Sequence, residues 1–213
     1  MKAKQLQLPR KDKNGMSYLS PSQISLFLKD KITYYNRYIV GEKFEGNEYT
    51  DFGSKVGEAL EMNNYEAFDP HEAVTLLKVK RLDEFEKRIK IQFEGFYVTG
   101  YIDTNTSDYN TIIDYKTGGK GKHTQYNKED YKQLCYYALG LRQEFGVTPK
   151  VAQVHFIPRL GNLVRGIPFK VGEDVKVIDV DISLDRLTRV YWETIEIAKE
   201  IEAFYLKAIN RLK

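Results

Sequence analysis

The chain has 213 residues, 42% of them hydrophobic and 30% charged, a balance that supports one sizeable core and excludes a disordered or fibrous protein. A formal net charge of +3 argues for no polyanionic partner by itself, and the single cysteine, Cys135, excludes an intrachain disulfide framework and a cysteine-held zinc or iron–sulfur centre. No apolar run approaches the ~20 residues of a membrane span, and the first residues lack a secretion signal's apolar segment; a cytoplasmic protein with no membrane partner is expected.

Residues 1–17 carry Lys2, Lys4, Arg10, Lys11 and Lys13 and show no helical period, which predicts a basic arm, either flexible or a lone edge strand. Ser20-Pro21-Ser22-Gln23 combines a capping-box spacing with proline at the first helical position. The helix it opens should run to Gly41 with Ile24, Phe27, Leu28, Ile32, Tyr35 and Ile39 inward. After a polar link, a second helix is expected from about Asp51 to Tyr65, burying Phe52, Val56, Ala59 and Leu60. Asp69-Pro70-His71-Glu72 repeats the capping signature and should start a third helix reaching about Arg88.

The period then becomes two. Segments 89–93, 96–103 and 111–116 read as successive antiparallel strands, the first pair turning at Glu94-Gly95. A Gly/Lys loop over 117–122 leads to a helix from about Lys128 to Phe145, with Tyr131, Leu134, Cys135, Ala138 and Leu141 on one stripe. An apolar strand over 151–158 suits burial on both faces, and strands over 163–170 and 175–182 precede a last helix capped by Ser183. This order predicts one α/β domain over 18–213, a mixed central sheet flanked by helices.

The chemistry concentrates between Gly100 and Gly118. On a strand, Asp114 and Lys116 share a face and Tyr115 takes the other. If the two runs there pair as a hairpin, Asp103 lies near both, so two carboxylates and a lysine meet in one small volume. Crowded carboxylates favour a cation among them, and hard oxygen ligands favour Mg²⁺ or Mn²⁺. The loop Gly118-Gly119-Lys120-Gly121-Lys122 lacks the Gly-Lys-Ser/Thr of a nucleotide-phosphate loop, so no nucleotide cofactor is expected. Lys120 and Lys122 suit DNA phosphates instead. His71, His123 and His155 receive no role.

With these pieces in place, the sequence resembles the RecB-type and phage-exonuclease branch of the PD-(D/E)xK nuclease superfamily. Leu19-Ser20-Pro21-Ser22 and Tyr34-Tyr35-Asn36-Arg37-Tyr38 match its opening helix. Gly53 to Glu61 matches its Gly-x-x-x-His-x-x-x-Glu helix, Gly100 to Asp103 its Gly-x-x-Asp, and Asp114 to Gly118 its Asp-x-Lys-Thr-Gly. Gln133 to Tyr137 matches its Gln-x-x-x-Tyr helix. Two departures stand out. The family's histidine is Gly57 here, which removes one metal ligand, and the cysteines that hold an iron–sulfur cluster in some relatives are absent.

The resemblance implies a restriction-endonuclease-like fold and metal-dependent DNA hydrolysis, with linear or single-stranded DNA ends as substrate. A recombination or replication protein is a further implied partner. Asp103 and Asp114 would hold Mg²⁺ or Mn²⁺ with the Tyr115 backbone carbonyl, and Glu61 would act directly or through water. Lys116 would orient or help deprotonate the attacking water, while Gln133 and Tyr137 would contact the DNA backbone or buttress Lys116. The alternative is a DNA-binding or partner-docking module that keeps the fold with little catalysis.

Overall fold

The alternating periodicity that the sequence shows from Ile89 onward belongs to the central sheet, whose second strand begins earlier, at Glu84. In the computed structural model, which describes residues 5–211, seven strands form one mixed sheet. Lys2 and Lys4 of the basic arm lie outside the described residues. Strands β2 (Glu84–Phe93), β3 (Phe96–Asn105) and β4 (Thr111–Gly118) run as an antiparallel meander, and β1 (Tyr18–Leu19) joins β3 in parallel. β5 (Val151–Asn162) pairs parallel with β4 from Thr111↔Val151 to Gly118↔Pro158. That parallel pairing needs a crossover, supplied by helix α5 (Gln133–Phe145). β6 (Ile167–Val171) and β7 (Lys176–Asp179) pair antiparallel with the second and first halves of β5.

Two apolar clusters flank the sheet. The larger holds Ile24 and Phe27 of α1 (Pro21–Lys29), Tyr34 of α2 (Lys31–Tyr35), the buried stripe of α5, and Leu187, Val190, Ala198 and Ile201 of α6 (Leu184–Arg211). The smaller holds Phe52, Val56 and Leu60 of α3 (Glu48–Met62) with Leu76 of α4 (Pro70–Leu77). Phe156 joins the first cluster and its neighbour Ile157 the second, so β5 is buried on both faces, as its apolar run predicts. Gly140 sets how closely α5 lies on β2: a Cβ there would come within 2.8 Å of Ile89 Cβ. Among the described residues, no helix is long and apolar enough to cross a membrane.

The structure alters several boundaries. The first predicted helix stops at Asp30, whose carboxylate accepts from the Ile32 and Thr33 N–H groups and recaps a new helix. The restart shifts the helical phase, so Leu28 and Ile32 are exposed and Tyr34 is buried instead. Ser20 caps Gln23 N, but the Gln23 amide donates to the Tyr34 hydroxyl rather than completing a capping box. The helix opened by Asp69 and Glu72 ends at Leu77, not near Arg88, because Glu84–Arg88 are taken into the β2–β3 ladder. α5 begins at Gln133, five residues later than its stripe suggests. Residues 5–17 pack along the β1–β3 side: Leu8 is buried in the larger cluster, and Leu6 N–H donates to the Gly95 carbonyl.

His155 on β5 is 3% exposed with Nδ1 unpartnered, and burial holds its pKa down to about 4. The folded protein therefore resists a proton that the unfolded chain accepts below pH 6.5. Its stability contribution is intact above that pH and is lost as pH falls toward 4. In urea titrations His155→Gln should lose about 1–2 kcal/mol less than the parent between pH 7 and pH 5. Parallel pH profiles would show that His155 carries no such burden.

Candidate active site

The β3–β4 register, Thr104↔Ile113 and Asn105↔Ile112, brings Asp103 beside Asp114. Asp103 Oδ2 accepts the Tyr115 N–H at 2.6 Å, tying the two strands together where the carboxylates meet. Along β4 the faces alternate. Ile112 packs in the larger cluster and Asp114 meets α5, while the Tyr115 ring packs in the smaller cluster and its hydroxyl donates to the Lys80 carbonyl.

Asp114 is fully buried and accepts three donors: Lys116 Nζ at 2.6 Å, Tyr131 Oη at 2.8 Å and Gln133 Nε2 at 2.9 Å. Gln133 Nε2 also donates to the Tyr137 hydroxyl. Gly100 makes room for this arrangement, since a Cβ there would press on Tyr137 Cε1 at 3.2 Å and Pro21 Cδ at 3.5 Å. Gln133 and Tyr137 thus support Asp114, not Lys116. Tyr137, only 3% exposed, presents no surface to a DNA backbone. Tyr131 belongs to the same set, although its place on the apolar stripe gave no sign of it.

Electrostatics follow from this crowding. Burial, and then the Asp114 charge, push the Asp103 pKa up to about 7, against the pull of Lys116 and the Tyr115 amide. For Lys116, burial works against the charged form, but Asp114 and Asp103 outweigh it and raise its pKa. The lysine side chain keeps 25% of its surface exposed, so its ammonium sits between the buried carboxylate and solvent.

Helix α3 runs past this centre. A Cβ on Gly53 would touch Thr117 Oγ1 at 3.3 Å, whereas one on Gly57 would meet nothing within 4 Å. One turn further on, the Glu61 carbonyl is held by Arg81 Nη2 at 3.0 Å. The Glu61 charge acts on Glu86, whose pKa burial and then Glu61 raise, and Glu86 in turn acts on Asp103. Glu86 lies between the β2 residues that pair with Ile102 and Thr104, and its left-handed backbone (φ 50°) is unusual for a non-glycine residue. Glu86 carries no sign of this place in the sequence, where it falls inside the helix expected to reach about Arg88. Lys120 and Lys122 sit on the exposed loop after β4 and form no ion pair among the described residues, so they stay outside the carboxylate cluster.

Among the described residues, no group of three or more His, Cys, Asp or Glu side chains is close enough to enclose a metal ion. The pair Asp103 and Asp114 nonetheless fits a hard divalent cation: two oxygen-donor side chains repel each other at the edge of solvent, and a cation would relieve that repulsion. The set does not fit zinc in a sulfur site or an iron–sulfur cluster, since Cys135 is buried against Arg186.

The PD-(D/E)XK nuclease superfamily matches residues 64–164, the span from before α4 to the end of β5. Among solved structures, a protein described as a "Putative exonuclease" from Eubacterium rectale is similar at 12% identity with TM-score 0.58, over 89% of this chain and 82% of that one. A phage-related exonuclease from Haemophilus somnus 129PT is similar at 16% identity with TM-score 0.39, over 90% and 82%. A search of curated proteins finds no match. The matched region spans the strands that carry Asp103, Asp114 and Lys116, and the mixed sheet flanked by helices is a restriction-endonuclease-like fold.

Because the folded pKa of Asp103 lies above the ordinary carboxylate value, its ionisation opposes folding from about pH 4 upward, and fully above about pH 7. In metal-free protein at pH 8, Asp103→Asn should therefore raise the unfolding free energy by about 1–3 kcal/mol, a gain that disappears below pH 4. Equal stability of the two proteins at pH 8 would refute the strained carboxylate.

Proposed function

We propose that this chain is a metal-dependent deoxyribonuclease, an exonuclease acting on linear or single-stranded ends in phage-type recombination, replication or repair in the cytoplasm. The observation that carries the reading is the meeting of Asp103, Asp114 and Lys116 at the β3–β4 junction, with Asp114 locked from behind by α5. The exonuclease direction is supported by the motif resemblance and by the description of the Eubacterium rectale neighbour.

Mg²⁺ or Mn²⁺ held by Asp103 and Asp114, with the Tyr115 carbonyl as a further ligand, would polarise the phosphodiester and lower the pKa of an attacking water. The protein's own groups do the rest. Tyr131 and Gln133 fix both oxygens of Asp114, so its orientation costs nothing when substrate arrives. With its pKa raised by the two carboxylates, Lys116 serves as a standing positive charge beside the scissile phosphate rather than as a base. It orients the water and stabilises the negative charge that develops on the phosphoryl oxygens. Glu61 and Glu86 extend the acidic wall toward α3 and act through solvent. Lys120 and Lys122 offer phosphate contacts from the loop beyond β4.

The open space at Gly57 favours one other reading, a DNA-binding module with little catalysis, since no side chain from α3 completes the ligand set there. Titrating Mg²⁺ and Mn²⁺ with linear and closed circular DNA separates the two. The nuclease reading expects cation-dependent loss of linear DNA and a drop of about 10²–10³ in rate for Lys116→Ala. DNA binding without cleavage, unchanged in Lys116→Ala, would establish the binding module.

A further inference from the structure

Away from the carboxylates, β2 and β3 present an outer face that the reading above leaves unused. Antiparallel pairing places Arg88 opposite Tyr101, Lys90 opposite Thr99 and Gln92 opposite Tyr97, so these six side chains share one face. The face opposite, with Ile89, Ile91 and Val98, is in the core. The residue 10–18 segment folds over one end of the outer face and closes a groove of about 440 Å³, whose lining includes Lys13, Arg88, Lys90, Tyr97, Asp12 and Glu144.

The cations of this groove are held in place without being neutralised. Lys90 Nζ lies 4.0 Å from the centre of the Tyr97 ring, and the Arg88 guanidinium reaches Thr99 Oγ1 at 3.4 Å. Tyr97 stacks on Tyr18 with ring centres 5.4 Å apart, and Arg10 caps Tyr18 at 4.5 Å. Among the described residues, none of Arg10, Lys13, Arg88 and Lys90 has a carboxylate within ion-pair distance. Asp12 is oriented by its own turn, accepting from Asn14 N–H, Met16 N–H and the Tyr97 hydroxyl, and its charge acts on Lys90. Asp12 and Glu144 are the two lining carboxylates that compete with a bound anion.

Beyond the cations, Tyr101 leaves 51% of its surface in solvent, two residues before Asp103. From the rise of a strand, Tyr101 lies ~7 Å and Thr99 ~13 Å from Asp103 along β3. Unpaired cations beside an exposed aromatic ring suit a strand of nucleic acid whose phosphates meet the cations and whose base stacks on the ring. Duplex DNA, with its bases enclosed, leaves Tyr101 without a use. Resting on the nuclease reading for the role of Asp103, we infer that the outer face of β2–β3 is a docking groove for single-stranded DNA, with Lys13, Arg88 and Lys90 gripping phosphates and Tyr101 stacking a base next to the reaction centre.

The test is fluorescence anisotropy with a labelled single-stranded oligonucleotide in EDTA, which isolates binding from cleavage, alongside thermal melts of each variant. The double variant Arg88→Ala with Lys90→Ala should raise Kd at least tenfold at low salt. It should also flatten the slope of log K against log salt by about 1.4, as two lost single-strand phosphate contacts require. Tyr101→Ala should weaken binding about 5- to 100-fold with the slope unchanged, the signature of a lost stack. A Kd within twofold of the parent in both folded variants, or duplex competing as well as single strand, would overturn the groove. If the variants lose binding while the parent shows no cation-dependent cleavage, the groove stands and the nuclease reading falls. Cleavage with unaffected binding means the reverse.

Discussion

The centre of this molecule depends on a repulsion held in check. Two carboxylates, Asp103 and Asp114, are brought together by an antiparallel register that also seals the middle of the sheet. Left alone, the pair would force the strands apart or shed one charge, and burial of Asp103 at the edge of solvent shows the second outcome already under way. The Lys116 ammonium, the Tyr115 amide and two donors from the α5 region offset most of that cost. What remains is a site predisposed to accept positive charge.

Helix α5 serves both stability and the site. Its stripe from Leu134 to Leu141 forms a wall of the larger core, and its first turn supplies Gln133 to Asp114. The same helix makes the parallel crossover that sets β5 beside β4, so the strand carrying Asp114 and Lys116 is paired on both sides. Gly140 and Gly100 permit the close approach that both tasks need, one under Ile89 and the other under Tyr137. Core packing and site geometry are therefore one constraint, and loosening the helix would misplace the carboxylate's donors before it unfolded the sheet.

Local rules recovered most elements because their signals are local. Proline with a capping residue located the starts of α1 and α4, and period-two alternation located β2 to β4. Boundaries failed where a distant partner outbid the local preference. Glu84–Arg88 look helical in isolation yet pair with β3, and the Asp30 side chain divides a helix that apolar spacing would carry to Gly41. The clustering of Asp103, Asp114 and Lys116 was legible because only a hairpin lies between them. Tyr131 and Glu86 were not, since one reaches Asp114 from beyond the Gly/Lys loop and the other faces Asp103 across a strand pair.

By itself the sequence determined the class of fold, the order of its elements and the meeting of Asp103, Asp114 and Lys116, because spacing of two along a strand and of three to four along a helix is written in the chain. Only tertiary structure decided that Gln133 and Tyr137 face inward to Asp114, that Glu61 and Glu86 come close enough for their charges to interact, and that Arg88, Lys90 and Tyr101 line one outer face. Those outcomes depend on register and on how helices lie over a sheet. They are fixed by packing among residues tens of positions apart, which no local pattern records.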